Sequence, residues 1–175
     1  RIRVRIVVEH DEDAIRVAKI TLEFLEDEEW AGDPALEGDA RLMLAEGQRM
    51  TGNIDGALRE AEAAVKVFDE KQQPGRSVGA VLFAAEAAWQ ARRIDEARRW
   101  VERGIEAAQA AGVADNLPRL LSLGATVANL RGEYAKAAAY QAEIESLAPR
   151  EKAAEEEIPR GGTLVVALAN PIAAT

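Results

Sequence analysis

Few side chains in this sequence have the type and spacing that chemistry requires. His10 is the single histidine and stands between Glu9 and Asp11. A metal or acid–base site needs several converging ligands or an oriented partner, so an isolated imidazole among carboxylates reads as a solvated turn. Carboxylates also cluster at residues 11–13, 26–29 and 155–157. None of these runs spaces its oxygens around a glycine as a calcium loop does, and each reads as a solvated helix face. Ser77, Ser122 and Ser146 stand in no nucleophile motif. Gly161 and Gly162 precede a strand-like run rather than a helix, which rules out a phosphate cradle of the strand–loop–helix kind. With no cysteine, disulfides, thiolate metal sites and cysteine nucleophiles are excluded together. The expectation is a protein that is not an enzyme and holds no cofactor and no metal.

What remains is surface. The 175 residues carry 22 basic against 31 acidic side chains, a net charge of -9, which repels nucleic-acid phosphates and anionic membranes. No run approaches the ~20 apolar residues of a bilayer-spanning helix. An apolar content of 48% is enough for one sizeable domain with tails.

The positioning elements follow from a repeat. Residues 52–57 (Gly-Asn-Ile-Asp-Gly-Ala), 92–97 (Arg-Arg-Ile-Asp-Glu-Ala) and 132–137 (Gly-Glu-Tyr-Ala-Lys-Ala) share one grammar, and Ala57, Ala97 and Ala137 stand 40 residues apart. A fixed period of that length marks a solenoid, whose units are too small to bury a core alone and stack on their neighbours. Ala45, Ala85 and Ala125 recur at the same step on the preceding helices, where large side chains would force paired axes apart.

Each unit reads as a helix pair. Asp33–Pro34 starts a helix running to about Met50, and Thr51–Asn53 breaks it. A second helix follows with Ile54, Ala57, Leu58, Ala61, Ala64, Val65 and Phe68 on one face. Pro74 and Gly75 end that hairpin, with Ser77 as the next cap. The second unit carries Val81, Ala84, Ala85 and Ala88, then Ile94, Ala97, Val101, Gly104, Ile105 and Ala108. The third carries Leu121, Gly124, Ala125 and Ala128, then Tyr134, Ala137, Ala138, Ile144 and Ala148. Asp115–Pro118 opens it and Pro149 closes it, with residues 151–157 adding at most an exposed helical turn or two. The units span about 34–73, 76–113 and 115–149, inside a helical domain of residues 11–158.

The flanks read differently. Ile2, Val4, Ile6 and Val8 alternate with Arg1, Arg3 and Arg5, the period of a strand, over residues 1–10. Ala14, Val17, Ala18, Thr21, Leu22 and Leu25 take helical spacing after an acidic run in which Asp11 or Asp13 supplies a cap, and form the remnant of an earlier repeat. Residues 159–175 hold a linker and a second strand, Thr163–Ala169. The unpaired edges of the two strands could join each other or a second copy, so a homodimer is one expectation. A chain that begins with Arg1 and stops within an apolar run is expected to be part of a longer protein.

The small-residue pattern, the turn at Gly132–Ala137 and Pro149 together resemble the tetratricopeptide repeat over roughly Pro34–Pro149. The period is longer than that family's usual ~34, Arg92 replaces a turn glycine, and most of the family's first-helix aromatic residues are absent. Longer repeats of bacterial signalling and transcription-regulator proteins are the better match. The resemblance implies an all-α, right-handed superhelix of antiparallel helix pairs with short terminal strands, acting in protein–protein or domain–domain contact. A second resemblance lies in the tail. Gly161, Gly162, Thr163 and Leu164 look like the opening strand of extracellular solute-binding proteins of the peptide-binding type (family 5). That likeness implies an N-terminal module of a larger solute-binding protein in an extracytoplasmic compartment. The alternative is a cytoplasmic regulatory or sensing domain.

In tetratricopeptide-like stacks the first helices line the concave face. Helical spacing from the packing alanines then places Leu42, Glu46 and Arg49, Leu82, Glu86 and Trp89, and Ser122, Thr126 and Asn129 along a groove for a protein or peptide segment. The groove is mixed rather than basic, unlike family members that clamp acidic C-terminal peptides. Trp89 is either an anchor for an apolar or cationic group or a filler between units. Trp30 and Trp100 read as core or inter-repeat fillers.

Overall fold

The computed structural model describes residues 11–25 and 34–156, and these are helical apart from short turns. In chain order they form α1 (Asp11–Leu25), α2 (Pro34–Met50), α3 (Ile54–Glu70), α4 (Pro74–Gln90), α5 (Ile94–Ala111), α6 (Leu117–Leu130) and α7 (Tyr134–Glu156). The fold is all-α. Both expected terminal strands, Ile2–Val8 and Thr163–Ala169, lie outside the described residues.

Why the helices stop where they do is visible in the backbone. Gly52, Gln72, Arg92, Gly112 and Gly132, evenly spaced along the chain, all take positive φ, between 54° at Gln72 and 82° at Gly52. At each one the next residue's N–H reaches back to the final turn of the helix: Asn53 to Gln48 O at 2.8 Å, Gln73 to Phe68 O, Arg93 to Ala88 O, Val113 to Ala108 O and Glu133 to Ala128 O, all at 2.9 Å. The positive-φ residue itself donates to the carbonyl three positions earlier, as Arg92 does to Trp89 O at 3.0 Å. This is the Schellman arrangement, which satisfies the orphan carbonyls of a helix end while turning the chain. On the far side of the first turn, Asn53 caps α3 by accepting from the Gly56 N–H at 3.1 Å.

The turns lay each helix against the next. α1 packs on α2, each later helix packs on its predecessor, and α4 also touches α6. The six aligned alanines, Ala45, Ala57, Ala85, Ala97, Ala125 and Ala137, are all buried, as the spacing requires. Glycines bring axes closer still. A Cβ on Gly104 of α5 would lie 2.7 Å from Leu120 Cδ2 of α6, and one on Gly124 of α6 would lie 2.9 Å from the Tyr140 ring of α7. Around these contacts Val78, Leu82, Val101, Ile105, Leu120 and Leu121 form the largest shared cluster, and half-buried Trp100 packs against this and two smaller clusters.

Several expectations need correction. Pro74 occupies the first turn of α4 with Gln73 as its N-cap, so the second unit begins at Pro74. Ser77 is a buried residue inside that helix, its N–H bonded to Gln73 O at 3.0 Å, and is no cap. Pro149 falls within α7 and does not close the third unit. A proline removes one N–H from the ladder, and the Ala-, Glu- and Lys-rich residues 151–156 favour helix strongly enough to carry it onward. Tyr134 and Ala138, expected on the packed face of α7, are exposed, because no helix among the described residues lies beyond that unit.

Candidate functional site

The first helices of the three units, α2, α4 and α6, present a trough made of two adjoining depressions. One part, about 310 Å³, is lined by Leu42, Glu46 and Arg49 of α2 with Phe83, Glu86 and Gln90 of α4. The other, about 450 Å³, is lined by Glu86, Trp89 and Gln90 of α4 with Arg119, Ser122, Leu123 and Thr126 of α6. Glu86 and Gln90 belong to both, so α4 forms the shared wall. Spacings of three and four along each helix put these residues on single stripes.

The floor is apolar. Phe83, Trp89 and Leu123 are half-buried and pack on the alanine-rich cluster of Ala45, Ala84, Ala87 and Ala88. Trp89 therefore both contacts the core and offers part of its ring to the trough, as an anchor must.

The charged groups neutralise one another. Arg49 donates to both oxygens of Glu46, at 2.7 and 2.6 Å, and its other nitrogen reaches Gln90 Oε1 across the helices. That hydrogen bond from Arg49 holds the Glu46 carboxyl below its ordinary value, against the upward push of partial burial. Across the second part, Arg119 donates to Glu86 at 2.7 Å. Thr126 Oγ1 is turned onto its own helix, donating to Ser122 O at 3.0 Å. No charge in the trough lacks a partner. Such a surface offers apolar contact and hydrogen-bonding edges.

Seven of the nine sequence-derived groove residues meet here: Leu42, Glu46, Arg49, Glu86, Trp89, Ser122 and Thr126. Leu82 does not. It is 3% exposed and belongs to the core with Val78 and Leu121, on a helix that packs against α3, α5 and α6. Phe83, one position on, takes the place given to Leu82. Asn129 is exposed but stands outside the trough lining. Sequence reasoning missed Phe83, Gln90, Arg119 and Leu123. Phe83 and Arg119 each lie three residues before an expected lining residue, Glu86 and Ser122, and that stripe was the available signal.

Among the described residues no group of three or more histidine or carboxylate side chains is placed to hold a metal ion, and no helix is long and apolar enough to cross a membrane. No protein-family model matches the chain, and a search of curated proteins finds no match.

Proposed function

We propose that this chain is a non-catalytic helical-repeat module, of the tetratricopeptide-like kind, that holds a peptide or protein segment in the trough of α2, α4 and α6. The observation that supports this best is the adjoining of the two depressions at Glu86 and Gln90: three successive units contribute to one surface that includes Trp89 and whose charges are paired. In this reading the stacked pairs continue as a right-handed superhelix whose concave side is the trough. The segment bound is a separate protein or an adjacent domain of the same chain, the latter suggested by the solute-binding resemblance of the tail.

Truncating a half-buried aromatic anchor removes apolar contact that a ligand alone completes, and anchors of this kind are worth about 2 kcal/mol or more. The test is Trp89→Ala, with binding partners first selected from a displayed peptide library on the full chain. Affinity for the selected segment should fall by about tenfold or more while helical circular dichroism stays unchanged. Unaltered affinity would remove the trough from the argument, and loss of the folded baseline would make Trp89 a core filler.

A further inference from the structure

A second surface lies on the second helices and shares no residue with the trough. Arg99, Trp100 and Arg103 of α5, with Glu96 beside them and Glu62 of α3 opposite, line an open depression of about 330 Å³. Across the described residues Arg41, Arg93, Arg98, Arg119 and Arg131 all have carboxylate partners, whereas Arg99 and Arg103 are exposed and make no ion pair among the described residues. Arg103 instead lies over the Trp100 ring, 5.2 Å from its centroid. That ring is fixed from below by packing against three core clusters.

We infer that this depression is a docking site for an acidic peptide segment in extended conformation. Stacking on a fixed indole holds the Arg103 guanidinium in place and leaves its N–H edge free, which lowers the ordering cost of binding a carboxylate. Arg99 and Arg103 are one helical turn apart, about 6 Å along the axis. Alternate side chains of an extended strand repeat at about 6.6 Å on one face. Two carboxylates separated by one residue therefore match the rise between the two arginine positions. Glu96 is already neutralised by Arg93 at 2.5 Å, and Glu62, with no cation partner, is placed to accept a backbone N–H from the bound strand.

The experiment uses the full chain and a fluorescein-labelled peptide of alternating glutamate and serine, read by anisotropy. The expected result is binding that weakens as salt rises, and that weakens at least tenfold when glutamine replaces glutamate. Arg99→Glu with Arg103→Glu should lower affinity at least tenfold, and Arg99→Gln with Arg103→Gln should do the same if the charge-reversed protein does not fold. Arg92→Glu, an exposed turn position outside the depression, should change affinity less than twofold. Equal binding of the glutamine peptide, equal effects of the Arg92 and Arg99/Arg103 variants, or displacement by inorganic phosphate or a single-stranded oligonucleotide at the peptide's own concentration would each overturn the assignment.

Discussion

Arg93, on the turn between α4 and α5, reaches back to Asp55 in the first turn of α3, with Nη1 2.6 Å from Oδ1. One unit later Asp95, the equivalent of Asp55, is held by Arg131, two positions before the equivalent of Arg93. Ala135 stands where the next aspartate of the series would be. These exposed pairs tie consecutive units along their turn edge, and a denser group follows: Glu102 accepts from Lys136 and from Arg98, and Glu133 accepts from Arg131.

That wiring predicts acid lability with a defined sign. Hydrogen bonds from Lys136, Arg93 and Arg131 hold the carboxyls of Glu102, Asp55 and Glu133, respectively, below their ordinary values of 4.5, 3.8 and 4.5. A carboxyl that binds its proton less readily when folded stabilises the fold above its ordinary value, and that contribution is lost as pH falls through the lowered one. The urea midpoint should hold steady from pH 7 to about 5 and fall below pH 4.5. Glu102→Gln should flatten that fall. Lys136 is raised above 10.5 by its bond to Glu102, so its contribution is present below that pH and disappears as pH rises beyond it.

Gly38 of α2 faces the ring of Phe68 on α3 so closely that a Cβ would lie 2.2 Å from Cε1. Phe68 is 1% exposed and has no room to retreat. Overpacking a filled core costs about 1–3 kcal/mol, so Gly38→Ala should lower stability by that amount despite alanine's better helix propensity. A denaturant melt in which Gly38→Ala matched or exceeded the parent would mean that α2 and α3 are not held at this separation.

Arg92 has a φ of 61° at the position where the neighbouring units have Gly52 and Gly132. A side chain in the left-handed region costs about 1–2 kcal/mol, and glycine returns part of that gain as unfolded-state entropy. Arg92→Gly should therefore stabilise the protein by up to about 1 kcal/mol. The reverse change, Gly132→Ala, should destabilise it by about 1 kcal/mol, since only the backbone conformation opposes a Cβ there. The pair of melts separates turn strain from side-chain contact.

These turns also show how far the residues disclose the fold. The aligned alanines and the buried face of α3 were readable because close helix packing admits only small side chains at a fixed step, and a step survives substitution elsewhere. The left-handed residues Gln72 and Arg92 were not readable as such, since the usual signal for that conformation is glycine and tertiary packing supplies it here instead. In the trough, stripe spacing found Trp89 and Glu86 but assigned Leu82 to the surface, because a helix contacted on several sides buries a wider arc than its own pattern reveals. Arg119 lies on the stripe of Ser122, but its bond to Glu86 on another helix is a relation that no local pattern contains.

Ile54, Ile94 and Tyr134 occupy equivalent positions at the start of α3, α5 and α7, and they do not share an environment. Ile54 and Ile94 are half-buried against the alanine-rich cluster, whereas Tyr134 is 71% exposed, with Leu130 nearby in sequence at 59%. If the position matters only where a following unit covers it, Ile94→Ser should cost about 2 kcal/mol or more from lost burial. Tyr134→Ser should then stay within about 0.5 kcal/mol of the parent, as substitutions at uncovered surface do. Melts of both variants at two protein concentrations a hundredfold apart check this. A large loss at Tyr134 that is independent of concentration would mean that another part of the same chain covers α7, and a loss that shrinks on dilution would mean that a second copy does.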